Sequence, residues 1–261
     1  MYSVEQILAQ MKPISLAEME SIKLMNRIDT KFVAGKNQLP LILDMANNHG
    51  YLVQQIEGER IAMYDTLYFD TPDLAMYTMH HNRMLHRQKI RIRKYIGSDL
   101  TFLEVKNKTN TGRTKKKRRQ IPEGEFPNNL TNAFSNLPEI QSFIEQKSQF
   151  PVGSLLPQLH TKFSRITLVN EAHTERLTID FNLVWDNEQT SLTRSFDNLV
   201  IIELKQDGLA YSEMKDILMS LRIHPAKMSK YCIGVALTNP QAKLNRFKRK
   251  IRKIKKITYN E

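Results

Sequence analysis

Apolar and polar residues alternate with a period of two in many short stretches of this chain, a pattern typical of β-strands with one buried face. Other stretches carry apolar residues at the spacing of three to four that is typical of amphipathic helices. Polar caps mark several helix ends: Ser15 and Glu18 form a capping box, and Gly50 closes a helix. Strands are predicted at residues 27–34, 62–69, 85–95, 100–108, 115–121, 159–169, 174–184 and 198–206. Helices are predicted for about ten residues from Ser15, at residues 37–49, at about 130–147 with an interruption near Pro138, from Ser212 onwards, and at about 227–237.

The polar faces of these predicted strands are rich in charge. Lys89, Arg91 and Arg93 share one face because side chains alternate, and Ile90 and Ile92 take the other. The same alternation groups Arg27, Asp29 and Lys31; Glu104, Lys106 and Lys108; Arg176, Thr178, Asp180 and Asn182 opposite Leu177, Ile179, Phe181 and Leu183; and Glu203 and Lys205.

One such strand, taken alone, fits an open sheet with its charged face in water. The pattern recurs on five strands, however, and the amphipathic helices need a surface to cover. We therefore predict an α+β fold built on a closed antiparallel β-barrel tunnel of about eight strands. Helices clad the outside of this barrel, and the lumen is polar and cationic.

The positive charge of the chain is concentrated in two runs. The 261 residues include 39 Lys and Arg against 27 Asp and Glu, a net charge of +12. Residues 113–119 hold six cations and no acid, residues 243–257 hold nine cations and no acid, and the rest of the chain is slightly acidic. Concentrated basicity favours a polyanionic partner, although a solvated basic face is the alternative for each run.

Several classes of protein are excluded by the sequence. The single cysteine rules out an internal disulfide framework and a cysteine-cluster metal site. Neither a P-loop nor a dinucleotide-binding glycine motif occurs. There is no signal-peptide pattern and no apolar run of about 18 residues, so we expect a cytoplasmic protein without a membrane span.

A lumen lined by cations repels itself unless an anion neutralises it, and a linear polyanion suits the shape of a tunnel. Arginine offers a planar fork for phosphate oxygens, and lysine adds point charge. Carboxylates facing phosphate make sense when a hard divalent cation bridges the two groups. These features together predict a phosphate-transfer site.

An ordered series of short motifs runs from Arg27 to about Gly234. The motifs are Arg27-x-Asp29-x-Lys31, Tyr-Phe-Asp-Thr-Pro at 68–72, Lys-Ile-Arg-Ile-Arg at 89–93, Leu-Glu-Val-Lys-Asn-Lys at 103–108, Arg-Leu-Thr-Ile-Asp at 176–180, Glu203-Leu-Lys205 and Ser-Lys-Tyr at 229–231. In this order and spacing they resemble the VTC-type polyphosphate polymerase domain, a branch of the triphosphate tunnel metalloenzymes. The resemblance implies transfer of the terminal phosphate of ATP to a growing polyphosphate chain, with Mn²⁺ or Mg²⁺ as cofactor.

The resemblance also implies roles for individual residues. Glu203 is the principal metal ligand, and Glu104 and Asp180 are weaker candidates because either can instead neutralise neighbouring lumen cations. Catalytic, phosphate-binding roles fall to Lys31, Arg91, Arg93, Lys106, Arg165, Arg176, Lys205 and Lys230. Further substrate contacts fall to Arg27, Lys89, Lys108, Lys117 and Tyr231.

Two other functions stay open beside the polymerase. One is a triphosphatase of the same tunnel fold, in which water replaces the acceptor chain. The wider superfamily carries Glu-x-Glu-x-Lys on its first strand, and Arg27-Ile-Asp29-Thr-Lys31 stands there instead, which favours the polymerase. The other is a non-catalytic polyphosphate-binding module. Nucleic acid is disfavoured because aromatic residues do not alternate with the cations.

The C-terminal segment is predicted as a separate element, with the tunnel domain at residues 1–240 and a basic amphipathic helix at 241–261. Its apolar residues recur at helical spacing, and cations fill the remaining faces. The pattern indicates an anionic membrane surface or a membrane-protein partner, with the protein peripheral at the inner face of the membrane. Packing of the helix against its own barrel is the alternative. The apolar residues are Leu244, Phe247, Ile251, Ile254 and Ile257.

Overall fold

A computed structural model describes residues 2–22, 27–98, 100–111, 114–122, 137–208 and 211–259. Within these residues, eleven strands form one sheet and eight α-helices pack around it. The strands are β1 (Pro13–Ser15), β2 (Arg27–Gly35), β3 (Leu52–Gln55), β4 (Ala62–Asp70), β5 (Arg87–Ile96), β6 (Thr101–Lys108), β7 (Thr114–Ile121), β8 (Leu156–Val169), β9 (Glu175–Asn187), β10 (Thr193–Phe196) and β11 (Leu199–Asp207). The helices are α1 (Val4–Gln10), α2 (Leu16–Ser21), α3 (Leu39–Asn48), α4 (Ala75–His81), α5 (Pro138–Lys147), α6 (Glu213–Ser220), α7 (Lys230–Thr238) and α8 (Lys248–Tyr259).

All eight strands that the alternation predicts are present, as β2, β4 to β9 and β11. The predicted helices are also present, and the capping box of Ser15 begins α2. Gly50 follows α3 with a positive φ of 73°, the left-handed conformation that ends many helices. The part of the third predicted helix that precedes Pro138 falls largely outside the described residues. The short elements α1, α4, β1, β3 and β10 were not predicted, since their patterns span too few residues.

The eight predicted strands run in the order β2-β11-β9-β8-β4-β5-β6-β7, and each neighbouring pair is antiparallel. In the described part of the chain, no ladder joins β7 back to β2. The sheet is thus a curled half-barrel, and the closed barrel that the sequence predicts is not observed. Charge on β7 explains this open edge, since seven of its eight residues are exposed and five of those are cations. Charged edge strands resist further pairing.

The convex face of the half-barrel is apolar and covered by helices, as predicted. On one half, Phe32, Ile179 and Ile202 pack under α1, α3 and α6. On the other half, Ile90 and Val105 pack under α5. Burial of these alternate apolar residues fixes the register of the strands, because a slip of one residue would turn every charged neighbour into the core.

The concave face has a charged end and an apolar end. A bulge at Asn182, whose φ is 52°, inserts one extra residue into β9 opposite β8 and reverses the alternation beyond it. Leu183 and Trp185 consequently lie on the concave side with Leu159, and α7 packs against them there. The expectation that Leu183 shares a face with Leu177 is therefore wrong, because alternation within one strand does not reveal a bulge.

Gly234 allows α7 to approach the sheet closely. A Cβ at this position would lie 2.5 Å from Leu159 Cδ2 and 2.6 Å from Trp185 Cδ1. We expect Gly234→Ala to lower the free energy of unfolding by about 1–3 kcal/mol, the usual cost of overpacking a core. Urea unfolding checks this, with Gly153→Ala as the matched control, since a Cβ at Gly153 would meet no atom within 4 Å. Equal stability of the two variants would contradict the packing described for α7.

The predicted C-terminal helix forms as α8, and it packs on its own sheet. Phe247 and Ile254 are each only 3% exposed, and both belong to the concave apolar cluster that includes Val33 of β2. The amide of Asn198 donates to the carbonyl oxygen of Thr258 at 3.3 Å. The apolar stripe thus packs against the protein itself, which is the second of the two interpretations of this segment, and docking of the stripe to a membrane is not supported. Within the described residues, no helix has the length and hydropathy needed to span a membrane.

Candidate functional site

Charged side chains from six strands and one helix converge on the charged end of the concave face. We call this set the cationic cradle. Directly opposed residues of antiparallel strands share a face, so the ladder register confirms the grouping. Glu203 lies opposite Lys31, Arg91 opposite Glu104, and Lys89 opposite Lys106. The cations of the cradle are Arg27, Lys31, Lys89, Arg91, Arg93, Lys106, Arg165, Arg176, Lys205 and Lys230, and its carboxylates are Asp29, Glu104, Asp180 and Glu203.

Both carboxylate oxygens of Asp180 accept hydrogen bonds from cations of the cradle. Arg165 donates from Nε at 2.5 Å and from Nη2 at 2.9 Å, and Lys230 at the start of α7 donates to the second carboxylate oxygen. Burial opposes ionisation of this carboxyl, but Arg165 and Lys230 outweigh burial and hold its pKa far below the usual range. Asp180 therefore positions two cradle cations, the alternative role foreseen from the sequence. Its role as a metal ligand stays a prediction.

Glu104 is held in the same way. Arg91 contacts one carboxylate oxygen at 2.6 Å from Nε and 2.5 Å from Nη2, and Lys116 of β7 contacts the other at 3.3 Å. Burial works against ionisation, yet Arg91 and Arg93 keep the pKa of Glu104 well below its usual value. The side chain is 3% exposed, so Glu104 has little room for a further ligand.

Glu203 is the most open of the three proposed metal ligands. Its oxygens lie 3.2 Å from Lys31 Nζ and 3.8 Å from Lys205 Nζ, and the side chain is 24% exposed. The described residues contain no group of three or more acidic, histidine or cysteine side chains that could hold a metal alone. Mg²⁺ is commonly bound by one or two carboxylates with substrate phosphates and water. Glu203 fits that mode of binding, and metal ligation by it stays a prediction.

Other cradle cations have no carboxylate within ion-pair distance among the described residues. Arg93 is 8% exposed and donates from Nε to Thr66 Oγ1 at 3.3 Å. Burial, then Arg91 and Arg165, lowers the pKa of Arg93. The repulsion of Arg91, then burial, lowers the pKa of Lys106 well below its usual value. The buried Nε of Arg176 has no hydrogen-bond partner. The cradle therefore carries positive charge that its own carboxylates do not neutralise.

Aromatic rings brace the buried guanidinium groups. Arg93 Cζ lies 5.2 Å from the ring centroid of Tyr64, and Arg165 Cζ lies 4.9 Å from the same centroid. The Arg91 guanidinium donates to the hydroxyl oxygen of Tyr68 at 3.1 Å. Burial raises the pKa of Tyr68, but Arg91 and Arg93 outweigh it and bring the value to about 8. The rings hold the arginine forks in place.

Two lysines of the cradle are poised to gain a proton. Burial lowers the pKa of Lys205 and of Lys230 to about 8. A bound polyanion favours the charged form and raises both values. We therefore expect tripolyphosphate binding to take up protons near pH 8, and affinity to fall as pH rises from about 7 to about 9. Calorimetry in buffers of different ionisation enthalpy measures the uptake, and Lys205→Arg should reduce it. Binding without proton uptake in the wild-type protein would contradict this assignment.

Three predicted substrate contacts are not among the residues of the cradle. Tyr231 is 2% exposed, its hydroxyl donates to Asp70, and its ring stacks on Tyr68 at 5.2 Å, so it supports the site rather than contacting substrate. Lys117 lies opposite Val105 and so faces the convex side. Both assignments are corrected by these positions. Lys108 is on the cradle side of β6 but at its far end, opposite Arg87.

Lys116, Arg118 and Asp70 contribute to the site, and no role was predicted for them from the sequence. Lys116 and Arg118 lie on the cradle side of β7, opposite Lys106 and Glu104. Alternation within the run at 113–119 could have separated them from Lys117, given the pairing of β7 with β6. Asp70 accepts hydrogen bonds from the backbone N–H groups of Met76 and Tyr77 at 2.8 and 2.9 Å, and so caps the first turn of α4. No local pattern marks that role.

A concave face of arginine, lysine and carboxylate side chains on a curled antiparallel sheet is suited to binding phosphate groups. The VTC domain family matches residues 26–239, and this chain belongs to that family. No curated protein matches the chain.

Two solved structures resemble the fold. HpAC1 from Hippeastrum, described as a candidate adenylyl cyclase with a dominant triphosphatase activity, is 13% identical with a TM-score of 0.50, over 82% of this chain and 98% of that one. The PH1819 protein from Pyrococcus horikoshii OT3 is 12% identical with a TM-score of 0.42, over 80% of this chain and 98% of that one.

Proposed function

We propose that this protein is a metal-dependent polyphosphate polymerase, which transfers the terminal phosphate of ATP to a growing polyphosphate chain in the cationic cradle. The main support is the charge of that cradle: ten cations face four carboxylates. Membership of the VTC domain family supports the same substrate class. The closed tunnel predicted from the sequence remains part of the proposal, with the edges of β2 and β7 facing each other across the bound chain.

The residues of the cradle suit the demands of phosphoryl transfer. This reaction depends mainly on positioning and on stabilisation of spreading negative charge, and it asks for little covalent chemistry from the protein. Arg93, Lys106 and Arg176 supply charge that no carboxylate neutralises, so they hold phosphate oxygens. Asp180 fixes Arg165 and Lys230 in place, which makes these donors preorganised. A Mn²⁺ or Mg²⁺ ion beside Glu203 would neutralise further charge on the phosphate oxygens.

A triphosphatase of the same fold is the second candidate. The observation that favours it is the fold likeness to HpAC1, a protein described with a dominant triphosphatase activity. The cradle would bind a triphosphate in the same way in both reactions, and water would replace the acceptor chain. A third candidate is a module that binds polyphosphate without turnover. The cations of the cradle would be sufficient for such binding.

Incubation of the purified protein with ATP and Mn²⁺ or Mg²⁺, followed by gel separation of the products, distinguishes the three. We expect a ladder of polyphosphate chains. Release of inorganic phosphate without a ladder would establish the triphosphatase. No consumption of ATP or tripolyphosphate with either metal, while polyphosphate still binds, would leave the binding module.

A further inference from the structure

Among the residues of α8 whose burial the structure describes, all the exposed ones are cations. We call the exposed residues the α8 basic face, which comprises Lys248, Arg249, Arg252, Lys253, Lys255 and Lys256. The helix contains no acidic residue, and within the described residues none of these six forms an ion pair with a carboxylate. At about 1.5 Å per residue, the twelve residues of α8 span about 18 Å.

A series of cations connects this face to the cradle. Burial, then Arg87 and Lys227, lowers the pKa of Lys108 at the far end of β6. Burial also lowers the pKa of Lys250 on α8, with Arg83 and the same Lys227 adding to it. Direct contacts bring these elements together. Lys250 Nζ lies 5.2 Å from the centroid of the Phe247 ring, and the His80 ring of α4 lies 6.4 Å from the same centroid. Arg87 lies opposite Lys108 in the sheet and donates to the carbonyl oxygen of Met84, shortly after α4. We call Lys108, Arg87, Lys227 and Lys250 the connecting cations.

The ring of His80 lies within this series. Burial, then Lys89 of the cradle, Arg87 and Lys250, lowers the pKa of His80 to about 2. The start of α8 is fixed nearby, since Phe247 packs on Tyr77 with ring centroids 5.8 Å apart. The connection between the cradle and α8 thus belongs to the packed structure.

We propose that the α8 basic face, together with the connecting cations, binds the part of a long polyphosphate chain that extends beyond the cradle. This inference rests on the proposed function for its ligand class. A flexible linear polyanion can follow a continuous series of cations from one element to the next. An anionic bilayer fits less well, because Phe247 and Ile254 are buried and the six residues of the α8 basic face are all cations.

Binding measurements with two probes test the proposal without reference to catalysis. Tripolyphosphate is short enough for the cradle alone, and long-chain polyphosphate can reach α8. The triple variant Arg249→Gln, Lys253→Gln and Lys256→Gln should weaken long-chain binding by about tenfold or more and leave tripolyphosphate binding unchanged. The salt dependence of long-chain binding should also become shallower, by roughly 2 in the slope of log affinity against log salt.

The matched control removes the same charge elsewhere. Lys12, Arg194 and Arg222 are exposed and lie outside α8 and the connecting cations, and their triple replacement with Gln should preserve binding of both probes. Equal long-chain affinities for the α8 variant and the control would overturn the proposal. So would loss of binding to phosphatidylserine vesicles with polyphosphate binding intact, which would make a membrane the occupant. Failure of polymer synthesis would refute the proposed function. It would not affect the binding measurements, which test the role of α8 independently of catalysis.

Discussion

Arg93→Met is expected to lower turnover of the triphosphate substrate by about 10²-fold or more, while the thermal midpoint of unfolding stays the same or rises. The reason is the position of Arg93, which is buried beside Arg91 and Arg165 and has no carboxylate at ion-pair distance among the described residues. Its removal relieves repulsion between like charges and takes away a fixed donor to phosphate. Steady-state kinetics and a thermal melt on the same preparation measure both effects.

Arg91→Met is the matched control for this prediction. Arg91 forms the ion pair with buried Glu104, and loss of one partner leaves the other charge without compensation. Breaking such a pair costs about 3–5 kcal/mol, so this variant should lose both activity and stability. If Arg93→Met instead unfolds at lower temperature and keeps its activity per folded molecule, Arg93 is a structural residue and the cradle is misassigned.

Glu203→Gln is expected to reduce metal-dependent turnover by a factor on the order of 10²–10³, while tripolyphosphate binding without metal is retained or strengthened. The substitution preserves shape and removes the charge that holds a metal. It also frees Lys31 and Lys205, which lie 3.2 and 3.8 Å from the carboxylate, to bind phosphate. Turnover at saturating Mn²⁺ and calorimetric binding in a chelator measure the two effects.

Asp180→Asn provides the comparison for Glu203. Arg165 and Lys230 would lose their shared buried partner, so the variant should unfold at a lower temperature, whereas Glu203→Gln should not. Full activity of Glu203→Gln at saturating metal would remove Glu203 from the metal site. Unchanged stability of Asp180→Asn would show that the ion pairs around Asp180 do little for the fold.

The two faces of the strands could be predicted from the sequence because the alternation of side chains is local. Lys89, Arg91 and Arg93 share a face whatever strand pairs with them, and the convex apolar core follows from their neighbours. Glu203 and Lys205 lie on one face of β11, as predicted, for the same reason. Features that depend only on the spacing of residues along the chain were therefore predicted correctly.

The failures concern features set by contacts between distant segments. The bulge at Asn182 depends on the partner strand, and it turns Leu183 and Trp185 towards α7. Burial of Tyr231 against Asp70 joins residues far apart in the chain. The apolar stripe of α8 has the spacing of a docking helix, and only the structure shows that Phe247 and the rest of the stripe are used internally. Closure of the sheet likewise depends on what lies against the charged edge of β7.

We propose that the cationic cradle binds phosphate groups and that Glu203 holds a metal ion. The most direct test is a crystal structure with tripolyphosphate and Mn²⁺, in which anomalous scattering locates the metal. We expect phosphate oxygens within hydrogen-bond distance of Arg93, Arg165 and Lys205, and a manganese peak beside Glu203. Phosphate bound away from the concave face, with the cradle side chains making only their internal ion pairs, would contradict it.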